Sequence, residues 1–176
     1  RYIGFLYESK GYRVCYYGAL KKKNDLGIDL ICTKGNKILI IQCKRWAKHK
    51  EIHENHINQL FGTALCYAIR ENLFNGTINL SDSNIFPIIY SSTKISKTAK
   101  EFAALLNVQC MENFPLKDFP RIKCNINNKG EKIYHLPFDQ QYDKVQITND
   151  GECYAYTVQE AEQNGFRRAK KWISTD

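Results

Sequence analysis

The stretch GIDLICTKGNKILIIQCKRW, residues 27–46, decides the fold class because it has the pattern of a β-hairpin that ends in polar residues. Two mostly aliphatic and β-branched runs flank the pair Gly35-Asn36, a combination typical of a two-residue hairpin loop. With that loop, Asp29 lies across from Gln42 on the neighbouring strand. Lys44 shares the face of Gln42, because side chains alternate along a strand. The pattern therefore predicts a carboxylate, an amide and an ammonium group close together.

These three groups suit metal-assisted hydrolysis of a phosphodiester. Asp29 offers an anionic oxygen and Gln42 a neutral one to a hard cation, Mg²⁺ or Mn²⁺. Such a cation lowers the pKa of a bound water, and Lys44 can stabilise the charge of the transition state. A second carboxylate is expected, and Glu8 on the first predicted helix is the best candidate. Each residue taken alone is compatible with an ordinary structural role, so the prediction rests on their conjunction.

The elements around the hairpin predict an α/β fold in which a mixed sheet is flanked by helices. We expect helices and strands in the order α-β-β-β-α-β-α-β, with helices over 2–10, 56–71 and 96–106 and strands over 12–18, 27–33, 37–46, 85–92 and 108–111. Two prolines within 114–120 and a change in composition after it predict a division into domains 1–118 and 119–176. The second part is predicted to be a small α+β module that ends in a helix over 158–172.

Composition limits the class of protein and of partner. Among 176 residues, 43% are hydrophobic and 25% charged, which favours a globular protein over a disordered one. No apolar run approaches the roughly 20 residues of a membrane span, so we expect no membrane segment in this fragment. The chain has 26 Lys and Arg residues against 18 Asp and Glu residues. Residues 1–120 hold 17 of the basic and 10 of the acidic residues, so the basic excess lies there. A basic region of this kind suits nucleic acid as a partner. Seven cysteines without a CxxC pair favour a reduced, cytoplasmic protein.

The motif in residues 24–46 resembles the core of the PD-(D/E)xK nuclease superfamily, and more narrowly its Mrr-type restriction endonuclease branch. The signature D-x-G-I-D, a hairpin and Q-C-K-R is present as residues 25–29 and 42–45. The resemblance covers residues 1–115 approximately and implies a restriction-endonuclease-like fold, a divalent metal and DNA as substrate. It also implies Asp29, Gln42, Lys44 and Glu8 as catalytic residues, with Asp29, Gln42 and Glu8 binding the metal.

Basic and aromatic residues on both sides of the hairpin are candidates for DNA binding. Such residues are expected to contact successive phosphates of DNA along a groove. The candidates are Lys21, Lys22, Lys23, Arg45, Trp46 and Lys48. Trp46 is compatible with base stacking, but packing against the sheet is favoured. His53 and His56 are three residues apart without a suitable third ligand, so a zinc site is not predicted. Gln59, on the helix after the hairpin, is a weaker candidate for orienting a group near the site.

Residues 121–172 resemble the small sunset module found in bacterial nuclease-like proteins. The shared elements include G-x-x-I-Y-H-x-P and a terminal E-A-x-x-x-G-F-R-x-A, while Cys124 and Phe138 stand where glycine is usual. Tyr134 is predicted to pack a small core. Arg167, Arg168, Lys170 and Lys171 are predicted to form a solvated helix face, with a nucleic-acid contact by this region as the alternative.

The sequence thus predicts a metal-dependent DNA endonuclease of Mrr type with a role in defence and a possible homodimeric state. Three alternatives stay open at this point. The first is a DNA-binding module of the same fold without catalysis, and the second is a repair nuclease or junction resolvase. The third is a regulatory domain whose basic face binds anionic lipid or RNA.

Overall fold

A computed structural model of the chain describes residues 1–21, 27–73, 80 and 83–170. Its elements form two compact units, Tyr16–Leu116 and a second unit that joins Arg1–Cys15 to Lys117–Asp176. Residues 1–15 are thus grouped with the C-terminal segment, whereas the sequence analysis placed them with the first domain. The predicted division after residue 118 into functional domains stays a prediction.

The elements are, in chain order, α1 (Tyr2–Glu8), β1 (Arg13–Cys15), α2 (Tyr17–Lys21), β2 (Leu30–Lys34), β3 (Lys37–Lys44), α3 (Glu54–Arg70), β4 (Ile85–Ser91), α4 (Lys97–Leu105), β5 (Gln109–Met111), β6 (Ile122–Ile126), β7 (Lys132–His135), β8 (Cys153–Ala155), α5 (Val158–Gln163) and β9 (Arg167–Arg168). Two mixed sheets flanked by helices are present, which confirms the predicted α/β class. Within the described residues, no helix is long and apolar enough to cross a bilayer.

In unit Tyr16–Leu116, strands β2, β3, β4 and β5 are neighbours in this order, so β3 has a strand on each side. Strands β2 and β3 are antiparallel, and Lys34 lies opposite Lys37 across the Gly35-Asn36 loop, which confirms the predicted hairpin register. Strand β4 runs parallel to both β3 and β5. Ile40 and Ile41 point to opposite faces, and both are fully buried. Strand β3 is therefore covered on both sides, as expected for the middle of an α/β sheet.

Helices α3 and α4 cover part of this sheet and contact each other. The buried positions of α3 recur at helical spacing, and they are Ile57, Leu60, Thr63, Ala64 and Ala68. Helix α4 begins after Ser96, whose side chain accepts a hydrogen bond from the N–H of Ala99. A parallel bridge between Ile52 and Ile95 ties the segments before the two helices together.

Two predicted strands of the N-terminal half are shorter than expected. The strand predicted over 12–18 is confined to β1, because the chain turns into α2, where Leu20 N–H bonds to the carbonyl of Tyr16. The strand predicted over 27–33 begins only at Leu30. Gly27 adopts φ +80°, a left-handed conformation that does not belong to a strand.

The second unit contains a sheet in the order β8, β6, β7, β9. One face packs an apolar cluster that includes Cys124, Tyr134 and Phe166, so the predicted packing of Tyr134 is confirmed. The helix predicted over 158–172 is wrong in its second half, since α5 ends at Gln163 and Gly165 adopts φ +82°.

Strand β9 follows that turn and pairs parallel with β7. The predicted solvated helix face is therefore wrong for Arg167, which binds Glu131, and for Arg168, which binds Asp139. Lys171 lies outside the described residues.

Candidate active site

Asp29 is fixed directly before β2 by bonds to the neighbouring strand. Its N–H donates to the carbonyl of Ile41 at 3.0 Å, and its own carbonyl accepts from the N–H of Gly18 at 3.2 Å. Its carboxylate oxygen Oδ2 accepts from the N–H of Cys43 at 2.6 Å. Because Cys43 lies between Gln42 and Lys44, the carboxylate is held beside the part of β3 that the sequence analysis indicated.

Gln42 is 2% exposed and uses only one end of its amide within the described residues. Nε2 donates to the carbonyl of Gly27 at 2.9 Å. The carbonyl oxygen Oε1 is buried and has no hydrogen-bond partner in the described part of the chain. A buried acceptor left unsatisfied costs about 1–3 kcal/mol, so a donor or a cation at Oε1 would be stabilising. An oxygen of this kind beside a carboxylate fits the oxygen preference of Mg²⁺ or Mn²⁺.

Gly27 leaves room for the two amides that surround it. A Cβ at this position would lie 2.9 Å from Nε2 of Gln42 and 3.2 Å from Nε2 of Gln59. Gln59 is therefore close to the loop that carries Asp29, as its position on the helix after the hairpin suggested. The glycine is needed both for its left-handed backbone and for the close approach of the Gln42 amide.

Lys44 is the last residue of β3 and is half-buried. It follows Gln42 by two positions, so both side chains leave the strand on the same side. Its carbonyl accepts the N–H of Ser92, the residue after β4. Both backbone groups of Trp46 bind the hydroxyl of Ser92, the N–H at 2.9 Å and the carbonyl at 3.0 Å. The exit of β3 is therefore fixed against the exit of β4.

Burial, and then nearby charges, change the pKa values of two residues at this strand end. Burial, and secondarily the negative charge of Asp29, raise the pKa of the Cys43 thiol to about 12. Burial lowers the pKa of His56, and the positive charge of Lys44 lowers it further. The thiol is therefore neutral at physiological pH, and His56 carries less positive charge than an ordinary histidine.

Trp46 packs rather than projecting freely, but its ring contacts helix α3, whereas the sequence predicted packing against the sheet. Its ring meets that of His56 edge to face, with centroids 4.9 Å apart and an angle of 78°. Lys50 Nζ lies 6.0 Å from the centroid of the Trp46 ring. Arg45 and Lys48 are exposed beside it. The other predicted DNA contacts, Lys22, Lys23 and the side chain of Lys21, lie outside the described residues, as does Asp25 of the motif.

Glu8 ends α1 in the other compact unit and is 5% exposed. Its oxygen Oε1 accepts from Lys123 Nζ at 3.2 Å, and Oε2 accepts from the hydroxyl of Tyr154. Its predicted role as a metal ligand stays a prediction. In residues 1–21, 27–73, 80 and 83–170, no group of three or more His, Cys, Asp or Glu side chains is arranged to hold a metal.

Ser92 is the residue of this region that the sequence analysis did not identify as part of the site. Its hydroxyl fixes Trp46, while the neighbouring hydroxyls of Ser91 and Thr93 are buried and lie 3.0 Å apart. A signal was available in the sequence, because the run Ser91-Ser92-Thr93 follows a strand of apolar residues. Three hydroxyl residues after a buried strand indicate hydrogen bonds to a neighbouring strand end.

One comparison with known protein families agrees with the motif in residues 25–29 and 42–45. The family model Mrr_cat, described as restriction endonuclease, matches residues 1–112. No curated protein matches the chain. The crystal structure of the protein of unknown function AF1548 is similar to this chain with a TM-score of 0.44 and 16% identity, over 66% of this chain and 58% of that one. This chain thus aligns with little more than half the length of that protein. Since the family model covers well over half of the 176 residues, the chain belongs to the Mrr-type restriction endonuclease family.

Proposed function

We propose that the protein is a metal-dependent endonuclease that hydrolyses phosphodiester bonds of DNA, a restriction enzyme of Mrr type that acts in defence. The observation that carries this proposal is the buried Oε1 of Gln42, which has no hydrogen-bond partner among the described residues and lies on the strand segment that binds the carboxylate of Asp29. A structural glutamine would place both ends of its amide in hydrogen bonds, because an unsatisfied buried oxygen is unfavourable. A glutamine that serves as a metal ligand keeps its carbonyl oxygen available.

The residues have distinct roles in this proposal. Asp29 and Gln42 hold the divalent cation, which when bound lowers the pKa of a water and neutralises charge on the phosphate. Lys44 places a fixed positive charge beside the phosphate oxygens and stabilises the charge that develops there. The hydrogen bond from Cys43 N–H to Asp29 keeps the carboxylate oriented towards β3.

DNA would reach the site along the exit of β3. Arg45 and Lys48 are exposed there and suit contacts to phosphates, whose contribution decreases as salt increases. Trp46 contributes through its packing on His56, which fixes the direction of this basic segment. We include in the proposal a cytoplasmic location, which rests on the cysteine pattern, a sunset-like module in residues 121–172, which rests on its motifs, and a possible homodimer.

Nicking of supercoiled plasmid in Mg²⁺ or Mn²⁺ tests the function. Wild type is expected to nick, while Asp29→Asn and Lys44→Met are each expected to lose at least about 100-fold in rate, typical of removing an electrostatic catalytic group. Lys34→Met is the matched control, because it removes a lysine from the other end of the same hairpin. Lys34 on β2 lies opposite Lys37, which is seven residues, or about 23 Å, along β3 from Lys44. Nicking that survives both site substitutions would refute the proposal. Salt-dependent DNA binding by wild type without nicking would favour the binding module.

A further inference from the structure

Helix α1 ends in a carboxylate that is already neutralised by a cation from its own chain. The side chains of Glu8 and Lys123 are 1% and 0% exposed, and they form an ion pair at 3.2 Å. The second carboxylate oxygen accepts the hydroxyl of Tyr154. Both oxygens of Glu8 are thus engaged inside the second compact unit.

The register of the sheet explains how these donors come together. Lys123 on β6 lies directly opposite Tyr154 on β8, so the two side chains leave the same face of the sheet. Phe5 of α1 packs edge to face on the Tyr154 ring at 5.0 Å, which places the end of α1 over that face. Glu8 therefore meets Lys123 and Tyr154 as a consequence of backbone pairing and ring packing.

Lys123 is in turn fixed by groups other than Glu8. Its Nζ donates to the carbonyl of Val145 at 2.7 Å and lies 5.1 Å from the centroid of the Tyr142 ring. Burial lowers the pKa of Lys123, whereas the charge of Glu8 acts in the opposite direction. A buried ammonium with this many partners does not leave its carboxylate easily, because an unpaired buried charge is strongly unfavourable.

A divalent cation does not fit the same carboxylate in this arrangement. Mg²⁺ and Mn²⁺ retain several waters when they bind proteins, and Glu8 is sealed from solvent. A doubly charged ion at Glu8 would also lie within a few ångströms of the Lys123 ammonium and be repelled by it.

We propose that Lys123 is the permanent cation of Glu8, and that this acid is a positioning residue of α1 rather than a metal ligand. In this proposal Asp29 and Gln42 are the protein ligands of the divalent cation. This part of the inference rests on the proposed function. The inference also assigns to the segment after residue 117 a specific task, which is to hold the end of the first helix.

Two measurements on the full chain test this. Urea denaturation of wild type, Glu8→Gln, Lys123→Met and the double variant measures the coupling between the two side chains. Each single substitution is expected to lower the urea midpoint, and the double variant is expected to be more stable than the sum of the single losses. Arg167 on β9 and Glu131, the residue before β7, form a solvent-accessible ion pair. They provide the control cycle with Glu131→Gln and Arg167→Met, for which little coupling is expected.

Titration with Mn²⁺ in the absence of DNA measures the ligand set. Glu8→Gln is expected to leave the Mn²⁺ dissociation constant within about twofold of wild type, whereas Asp29→Asn should raise it at least about tenfold, the effect of losing a charged ligand. A Glu8→Gln effect as large as that of Asp29→Asn, or tighter binding in Lys123→Met, would overturn the inference. If wild type binds no Mn²⁺, the proposed metal chemistry is wrong, and the urea cycle alone tests the inference. Coupling between Glu8 and Lys123 in that cycle supports their ion pair, whereas additive losses of stability overturn the inference.

Discussion

Substitution of Gly27 by alanine tests whether the loop before Asp29 is shaped by the amide of Gln42. A non-glycine residue in the left-handed region costs about 1–2 kcal/mol, and this applies at φ +80°. The added Cβ would also lie 2.9 Å from Nε2 of Gln42 and 3.2 Å from that of Gln59. Gln59 is exposed and can move aside, but Gln42 is 2% exposed. Displacing it breaks the bond to the Gly27 carbonyl, worth about 1 kcal/mol.

The free energy of unfolding should therefore fall by about 2–3 kcal/mol in Gly27→Ala. Gly35→Ala is the matched control, because Gly35 has φ +55° and no atom within 4 Å of its added Cβ, so only the backbone cost of about 1–2 kcal/mol remains. Urea denaturation measures both. Plasmid nicking should be impaired in Gly27→Ala alone, since its Gln42 carbonyl moves. Equal stability losses in the two variants, with full nicking activity in both, would refute this account of the loop.

Three further predictions concern titration and ion pairing. Because folding raises the pKa of Cys43 from 9.0 to about 12, the native state binds the thiol proton more tightly than the unfolded state does. The stability that wild type has over Cys43→Ala should be fully present below pH 9 and should decrease by up to about 4 kcal/mol as pH rises to 12, and urea denaturation at each pH measures it. Burial raises the pKa of Glu152, but hydrogen bonds from three backbone N–H groups outweigh it and hold the pKa below 4.5; Glu152→Gln should cost about 1–2 kcal/mol at pH 7 and progressively less as pH falls through the native pKa, measured by thermal denaturation. Arg168→Met should cost about 2–3 kcal/mol because it leaves the carboxylate of Asp139, 4% exposed, without its guanidinium; unchanged urea midpoints would contradict this.

The hairpin was predictable because its determinants are local. A two-residue Gly-Asn loop between two aliphatic runs fixes the register, and the register places Asp29 across from Gln42. That the carbonyl oxygen of Gln42 has no partner in the part of the chain that the structure describes could not be predicted, since this depends on the direction in which the amide turns towards Gly27.

Other features escaped prediction because they depend on long-range contacts. Glu8 resembles an exposed helix carboxylate in the sequence, and nothing near it indicates Lys123, which is 115 residues away. Arg167 and Arg168 continue a helical pattern of charges, but the left-handed turn at Gly165 and pairing with β7 override it. Propensity is a weak predictor where a short segment can pair with an existing strand.

The grouping of Arg1–Cys15 with the segment after Leu116 has a consequence for the order of folding during synthesis. Unit Tyr16–Leu116 is continuous, so all its residues have been synthesised before the C-terminal strands exist. Helix α1 must wait for β6 and β8, and closing a loop of 115 residues is slow because its contacts are distant in sequence. Until then the apolar ring of Phe5 lacks its native neighbours Phe119 and Tyr154, and a nascent chain with such exposed apolar residues is prone to aggregate. Residues 1–15 are therefore synthesised before unit Tyr16–Leu116 but reach their native contacts only after the C-terminal strands have formed.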